Sequence, residues 1–335
     1  MRRSEAILLF LFVATAVGFL AVRSEAGTPP VAVPRVAIAS AAAPAIGPAT
    51  ATPAPTPTPL PAYFSLNWLA AHPPSDVPSI TAKGAIVVDT DTQQVMFARA
   101  VDDRRPPASI MKIVTAMVAL DNLKPEQLVT VSPAAATVEP NHMGLSVGEQ
   151  VPVKDLLYGL LLDSGNDAAE ALAEAVPGGR ATFLEKMNQT AVRLGLENSH
   201  FVDPSGLDDA NYTTPYDMAV LADAALRGYP TIRTVVATKQ VAIPSTPTHK
   251  WFGPINLNDL LWDYPGTYGM KVGFTDAAEY TIVLAGQKDG HNVMIVLLGS
   301  KRHFTEGRAL FTWAYAHLPV ADGAPVRRFA AAEPA

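Results

Sequence analysis

Two short apolar runs, GAIVVD from Gly84 to Asp89 and QVMFA from Gln94 to Ala98, flank the polar tetrad Thr90-Asp91-Thr92-Gln93. Such runs joined by a turn predict a β-hairpin. Beyond it the period lengthens. Ile110, Ile113, Val114, Met117 and Leu120 recur at helical spacing, which predicts a helix over Ser109 to Asp121. Further helices are expected over Lys154 to Leu162, Asp167 to Ala175, Arg180 to Leu194 and Thr214 to Leu226, with Gly195 a natural stop for the third. Tyr280 to Gln287 and Val293 to Gly299 surround Lys288-Asp289-Gly290-His291, and Asp-Gly between apolar runs is a strong hairpin signal. A last helix is expected over Phe304 to His317. Strands, a long helical middle, strands again and a helix predict an α+β fold: an antiparallel β-sheet flanked by helices, with an inserted helical lobe.

The ends read differently. Met1-Arg2-Arg3 precedes an uncharged apolar run from Ala6 to Val22, and Ser24-Glu25-Ala26 fits a cleavage site with small flanking residues. Residues 1–26 are expected to be a signal peptide or an uncleaved membrane anchor. Both readings stay open, and both carry the rest of the chain out of the cytoplasm, to the cell surface, the periplasm or the medium. Residues 27–62 are rich in Pro, Ala and Thr and have little to bury, so they are expected to be a disordered linker. Residues 63–318 are expected to form the folded domain, and 319–335 a short tail. Composition narrows the partners. The net charge is −6, with no basic run beyond pairs such as Arg104-Arg105, which argues against nucleic acid. There is no Cys, hence no disulfide and no thiolate nucleophile. The seven His are scattered without metal-ligand spacing, so no metal is expected.

Three triplets carry candidate chemistry. Ser109 begins the first predicted core helix, with Lys112 one turn on. An ordinary Ser there is an N-cap, yet a capping box would place Glu or Gln at the fourth position. A cation in the first turn opposes the helix dipole, and the same field lowers its pKa. A neutral amine beside a hydroxyl is a plausible general base. Ser164-Gly165-Asn166 breaks two helices and reads either as a polar turn or as a proton-relaying hydroxyl beside an amide. Lys271-Val272-Gly273-Phe274-Thr275 reads as a strand edge on which a peptide adds as a further strand, or as an ordinary strand with one exposed Lys. Asp163 is read either as perturbing Ser164 or, in the simpler reading, as a helix-end surface residue. Trp251 and Phe252 are read either as lining the approach to the site or as core.

In order and chemistry the triplets resemble the SxxK, SxN and KTG set of penicillin-binding DD-peptidases and serine β-lactamases, with Val272 in place of the usual Thr. The resemblance to the low-molecular-mass D-alanyl-D-alanine carboxypeptidases runs from about Ala82 to Tyr315. It includes Pro107-Ala108-Ser109 with Lys112 to Ala116, Leu156 to Leu162 with Ser164 to Ala169, Phe201 to Leu207 (FVDPSGL) and Tyr212 to Ala219 (YTTPYDMA). It implies hydrolysis of peptidoglycan stem peptides ending in D-Ala-D-Ala through a Ser109 acyl-enzyme, and β-lactams as covalent inhibitors. It further implies Lys112 as base, Ser164 as proton relay and Asn166 as holder of the substrate amide, with no metal or organic cofactor required. Lys271 would pair with the terminal carboxylate, and the N–H groups of Ser109 and Phe274 would form the oxyanion hole. Val272 lacks the family's hydroxyl, so a weaker enzyme or a shifted substrate is expected. Glu279 stands where Gly is common, and Thr281 where Cys is frequent. A DD-endopeptidase and a non-catalytic peptidoglycan-binding homologue weakened at Val272 remain alternatives. A class A β-lactamase does not fit, because Glu185 has the wrong spacing for its water-activating Glu. No counterpart of the family's C-terminal β-domain and amphipathic tail is expected, so surface attachment, where there is any, is expected to come from the N-terminus.

Overall fold

A computed structural model describes residues 63–318 apart from Ser75 and Glu139. The expected leader at 1–26, linker at 27–62 and tail at 319–335 lie outside the described residues. Among the described residues no helix is long and apolar enough to cross a membrane. The chain runs α1 (Asn67–Ala71), β1 (Gly84–Asp89), β2 (Gln94–Arg99), a 3-10 turn (Ala108–Met111) and α2 (Lys112–Asn122). It continues through β3 (Leu128–Thr130), α3 (Pro133–Ala136), β4 (Gln150–Pro152), α4 (Val153–Leu161), α5 (Asn166–Ala175) and α6 (Gly179–Leu194). Then come α7 (Pro215–Gly228), α8 (Pro230–Ala237), α9 (Asp259–Asp263), β5 (Thr267–Thr275), β6 (Glu279–Lys288), β7 (His291–Ser300) and α10 (His303–Ala316).

Five strands form one antiparallel sheet in the order β2-β1-β7-β6-β5. Each sheet face buries its own core. Ile86, Val88, Val283, Ala285 and Val296 pack against the helical lobe, where α2 is buried all round from Lys112 to Ala119. Ala85, Val87, Ile282, Leu284 and Leu297 pack with Leu310, Phe311 and Trp313 of α10. Because both faces are covered, the strands read as continuous apolar runs rather than alternating ones. The β6–β7 turn uses Asp289 and Gly290 at φ of 52° and 87°, the left-handed pair that a two-residue hairpin needs. Gly195, at φ 72°, ends α6 where expected. The helix expected from Ser109 is instead a tight 3-10 turn followed by α2. The apolar spacing of the two is too similar to separate by sequence.

Glu279 opens β6 with φ at 55°. That explains why Gly suits the position, since a side chain there costs roughly 1–2 kcal/mol. Its carboxylate turns to Lys83 Nζ at 3.2 Å, a half-exposed pair, while Oε2 is buried without a hydrogen-bond partner. Exposed pairs contribute little, so Glu279→Gly is expected to stabilise the fold by about 1 kcal/mol. A chemical-denaturation midpoint that falls on this substitution would refute the strain argument.

Candidate active site

Ser109 sits inside the 3-10 turn, whose geometry is forced by its neighbours. Ala108 adopts φ 50°, an unfavourable region for Ala that persists only where the surroundings impose it. Thr281 Oγ1 donates to the Pro107 carbonyl at 2.8 Å. Gly206 lies so close that a Cβ there would stand 2.1 Å from the Ala108 oxygen. Gly273 of β5 presses in from the sheet, where a Cβ would come within 2.7 Å of the Ser109 nitrogen. The bare backbone of Gly273 therefore serves the contact between β5 and the nucleophile turn, a role its sequence context did not reveal.

Lys112 is fully buried and donates to three oxygens: Ser109 Oγ at 2.9 Å, Asn166 Oδ1 at 2.7 Å and the Ser205 carbonyl at 2.6 Å. Burial first, and the nearby Lys271 ammonium second, hold its pKa well below the ordinary lysine range, opposed by Asp203 and Asp167. The direction agrees with the sequence argument, but desolvation rather than the helix end is the leading cause. The Ser205 carbonyl is fixed in turn by Asp203. The Asp203 carboxylate accepts from Ser205 N and Oγ, Gly206 N, Asp208 N and Asn211 Nδ2. Thr115 Oγ1 ties α2 to the same loop through the Pro204 carbonyl at 2.6 Å.

The second triplet turns from α4 into α5. Ser164 adopts φ 62°, and its Oγ is buried without a hydrogen-bond partner among the described residues. A buried hydroxyl left unpaired costs about 1–3 kcal/mol, which marks it as a group set aside for something other than stability. Gly165 has no room for a side chain, because a Cβ would meet Asp167 Oδ1 at 2.8 Å and Met143 N at 2.9 Å. Asn166 points Oδ1 at Lys112, gives Nδ2 to the Pro140 carbonyl, and its backbone N–H donates to the Asn141 carbonyl. Asp167 gathers the N–H groups of Met143, Gly144, Leu145 and Ala168, each at 2.8–2.9 Å. One carboxylate thus holds both the loop over the site and the first turn of α5.

The third triplet lies on β5, at the edge of the sheet. Lys271 pairs across to Val283 and is buried; Val272 pairs across to Ile282. Directly opposed residues share a face, so Lys271 lies on the face of the helical lobe, and Val272 packs partly against the second core. Lys271 Nζ donates to the Val272 carbonyl at 2.9 Å. Phe274 is half exposed, its ring 4.8 Å from Tyr280, and Thr275 Oγ1 accepts from Ala278 N in the turn. Burial pushes the Lys271 ammonium down to about 7, with Asp163 opposing the shift. Both lysines hold protons less tightly folded than unfolded. Stability should therefore rise with pH from about 7 towards the ordinary lysine range, where the unfolded chain still binds those protons. A denaturation midpoint that falls between pH 7.5 and roughly 9.5 would contradict this.

Among the described residues no three acidic or imidazole side chains converge as metal ligands would. A buried serine in direct contact with a pKa-lowered lysine, itself held by Asn166 and the Ser205 carbonyl, is an arrangement that can serve as a nucleophile and its base. The sequence model of the D-alanyl-D-alanine carboxypeptidase family matches residues 70–302. The chain belongs to the D-alanyl-D-alanine carboxypeptidase family. It is 34% identical over 225 residues to D-alanyl-D-alanine carboxypeptidase DacF of Bacillus subtilis, covering 65% of this chain and 57% of that relative's length. With D-alanyl-D-alanine carboxypeptidase DacB2 of Mycobacterium tuberculosis it shares 34% over 255 residues, 73% of this chain and 86% of that one. The solved Streptomyces K15 DD-transpeptidase superposes with a TM-score of 0.68 at 34% identity, over 72% of this chain and all of that one.

In this carboxypeptidase-family chain the first two motifs meet directly through Lys112, and the third meets the first through Gly273 and Ser109. Four contributors escaped sequence reasoning. Asp203 and Ser205 lie in FVDPSGL, which drew notice only as a likeness, and their role is carried by a carbonyl that no side-chain pattern shows. Asp167 entered only as the first residue of an expected helix and as part of the likeness after Ser164. Thr281 was a departure from Cys, and proves to be a clamp on the nucleophile turn. Phe252 is core, 2% exposed, whereas Trp251 is 60% exposed. Asp163 Oδ1 accepts from Ile255 N at 2.8 Å, so it ties a second segment to this motif rather than lying idle at a helix end.

Proposed function

We propose that this chain is a serine-type D-Ala-D-Ala carboxypeptidase that acts on peptidoglycan stem peptides through an acyl-enzyme on Ser109. Ser109 Oγ bonds to the carbonyl carbon between the two D-alanines while neutral Lys112 takes the hydroxyl proton. The N–H groups of Ser109 and Phe274 receive the developing oxyanion. Ser164 passes a proton to the leaving nitrogen, the C–N bond breaks, and D-alanine departs. Water then cleaves the ester and restores Ser109. Asn166 positions the substrate amide, and Lys271 pairs with the terminal carboxylate. Val272, Gly273 and Thr275 form the strand edge beside which the peptide lies. β-Lactams acylate the same oxygen.

The observation that carries this reading is the 2.9 Å contact between Ser109 Oγ and an amine whose pKa burial has lowered. Intact-mass measurement after incubation with benzylpenicillin tests it. One adduct of the antibiotic's mass is expected on the native chain and none on Ser109→Ala. A folded native chain that never gains the adduct would sink the proposal. A pH profile adds a second check. With substrates ending in a free carboxylate, kcat/KM should fall as pH rises through about 7, where free Lys271 sheds its charge. An amidated peptide should lack that alkaline limb, and identical profiles would remove Lys271 from carboxylate binding.

The remaining assignments rest on sequence. Residues 63–318 form the catalytic domain, 27–62 a spacer, 319–335 a tail, and 1–26 a signal peptide or membrane anchor. Together these place the enzyme outside the cytoplasm, where stem peptides are exposed.

A further inference from the structure

Residues 251–258 form an extended segment whose burial alternates without exception at the bulky positions. Phe252, Pro254, Asn256 and Asn258 are buried, while Trp251, Ile255 and Leu257 are 60%, 50% and 44% exposed. An alternating segment normally turns polar residues outward; this one turns three large apolar side chains to solvent along one face. Trp262, 44% exposed, joins them: its Nε1 donates to the Asn256 carbonyl at 3.1 Å. Single exposed apolar residues need no explanation, but a contiguous set does.

The position of this stripe gives it a meaning. Ile255 N donates to Asp163 Oδ1 at 2.8 Å, and Leu257 N to the Leu162 carbonyl at 3.4 Å. Leu162 and Asp163 immediately precede Ser164. Asn258, next to Leu257, donates from Nδ2 to the Gly269 carbonyl of β5 at 3.1 Å. The segment that carries the stripe is therefore fastened both to the residues just before Ser164 and to β5, the strand of Lys271, whose ammonium feels the charge of Asp163. In the proposed reaction Lys271 holds the terminal carboxylate, and that carboxylate belongs to the residue that leaves. The backbone ties of Ile255 and Leu257 thus lie on the Asp163 and β5 side of the motifs, the side of Lys271. Val272, on the same strand as Lys271, has no hydroxyl to offer a carboxylate. Polar anchoring is reduced where apolar surface is offered.

We propose that Ile255, Leu257 and Trp262 form an apolar wall for the leaving residue, so that the enzyme prefers stem peptides ending in D-Ala followed by a D-residue with a sizeable hydrocarbon side chain. This deepens the carboxypeptidase reading and rests on it. The chemistry is unchanged: the bond between D-Ala and the last residue breaks, the acyl group passes to Ser109 and then to water, and a free apolar D-amino acid is released. Each methylene placed against such a wall is worth roughly 10–200-fold in discrimination.

The test compares kcat/KM of the full chain for diacetyl-L-Lys-D-Ala-D-Leu and diacetyl-L-Lys-D-Ala-D-Ala, with benzylpenicillin acylation of the same sample as a control. We expect the D-Leu peptide to be favoured about tenfold or more. Leu257→Ser and Ile255→Ser should each bring that ratio towards one, and Leu257→Met, which restores hydrocarbon, should recover it. A native ratio at or below one, with penicillin acylation intact, overturns the wall while leaving the carboxypeptidase reading standing. Absence of both acylation and peptide cleavage overturns both. An unchanged ratio in Leu257→Ser, accompanied by weaker binding to phosphatidylglycerol vesicles than the native chain shows, overturns the wall and assigns the stripe to a lipid surface.

Discussion

Replacing Lys112 by Met should slow benzylpenicillin acylation of Ser109 by about a thousandfold, the range expected when a general base is removed, while the chain stays folded. Met matches the stem of lysine and suits a site with no solvent exposure. What is lost is the one amine in hydrogen-bond contact with Ser109 Oγ among the described residues, together with the donor to Asn166 Oδ1 and the Ser205 carbonyl. Three acceptors lose a partner, at about 1–3 kcal/mol each, but the cost of burying an amine disappears with it. The midpoint of unfolding should therefore move far less than the rate. Time-resolved intact mass measures the rate, and thermal denaturation measures the fold. If the Met variant acylates within tenfold of the native chain, Lys112 is not the base and the proton must leave Ser109 by another route.

The largest effect on stability is expected at Asp167. Its carboxylate accepts four backbone N–H groups, three from the Met143–Leu145 loop and one from α5, with the side chain 1% exposed. Asp167→Ala strips all four at once, and the loop cannot turn its N–H groups to water without leaving the protein. At about 1–3 kcal/mol per buried donor left unpaired, a loss of at least 3 kcal/mol is expected, a large part of the stability of an ordinary domain. Activity should fall as well, because the same loop supplies the Pro140 and Asn141 carbonyls that hold Asn166. Asp167→Asn keeps an acceptor oxygen and should lose less. Urea unfolding separates the two variants. Equal, small losses would show that the loop finds other acceptors and that Asp167 is not its anchor.

The two hairpins were legible because Asp289-Gly290 and the runs about Thr90–Gln93 announce their turns locally, and strand burial on both faces only lengthens an apolar run. α2 was half legible. Its apolar positions predicted a helix, but the 3-10 turn around Ser109 is imposed by contacts from Gly206, Gly273 and Thr281, residues about a hundred or more positions away. The motif residues were readable by type and spacing. The groups that hold them were not, because Ser205 acts through a carbonyl and Asp167 through hydrogen bonds to a distant loop. β3, β4 and α8 were missed as well; two are three-residue strands, and α8 follows α7 after a single residue. Lys112 illustrates the limit best: a cation near a helix start gave the right direction of shift, while its main cause, complete burial, depends on the whole lobe.

The three acceptors around Lys112 have a consequence for proton accounting. An ammonium carries three hydrogens and no lone pair; a neutral amine carries two and one. In the protonated state every hydrogen of Lys112 has a destination, including Ser109 Oγ. When one proton is lost, Asn166 and Ser205, which can only accept here, keep the two that remain, and the lone pair is left facing the serine. Activation is then a reversal of direction along one existing hydrogen bond, with no heavy atom displaced. The residue pair is locked and primed by the same geometry, differing by a single proton.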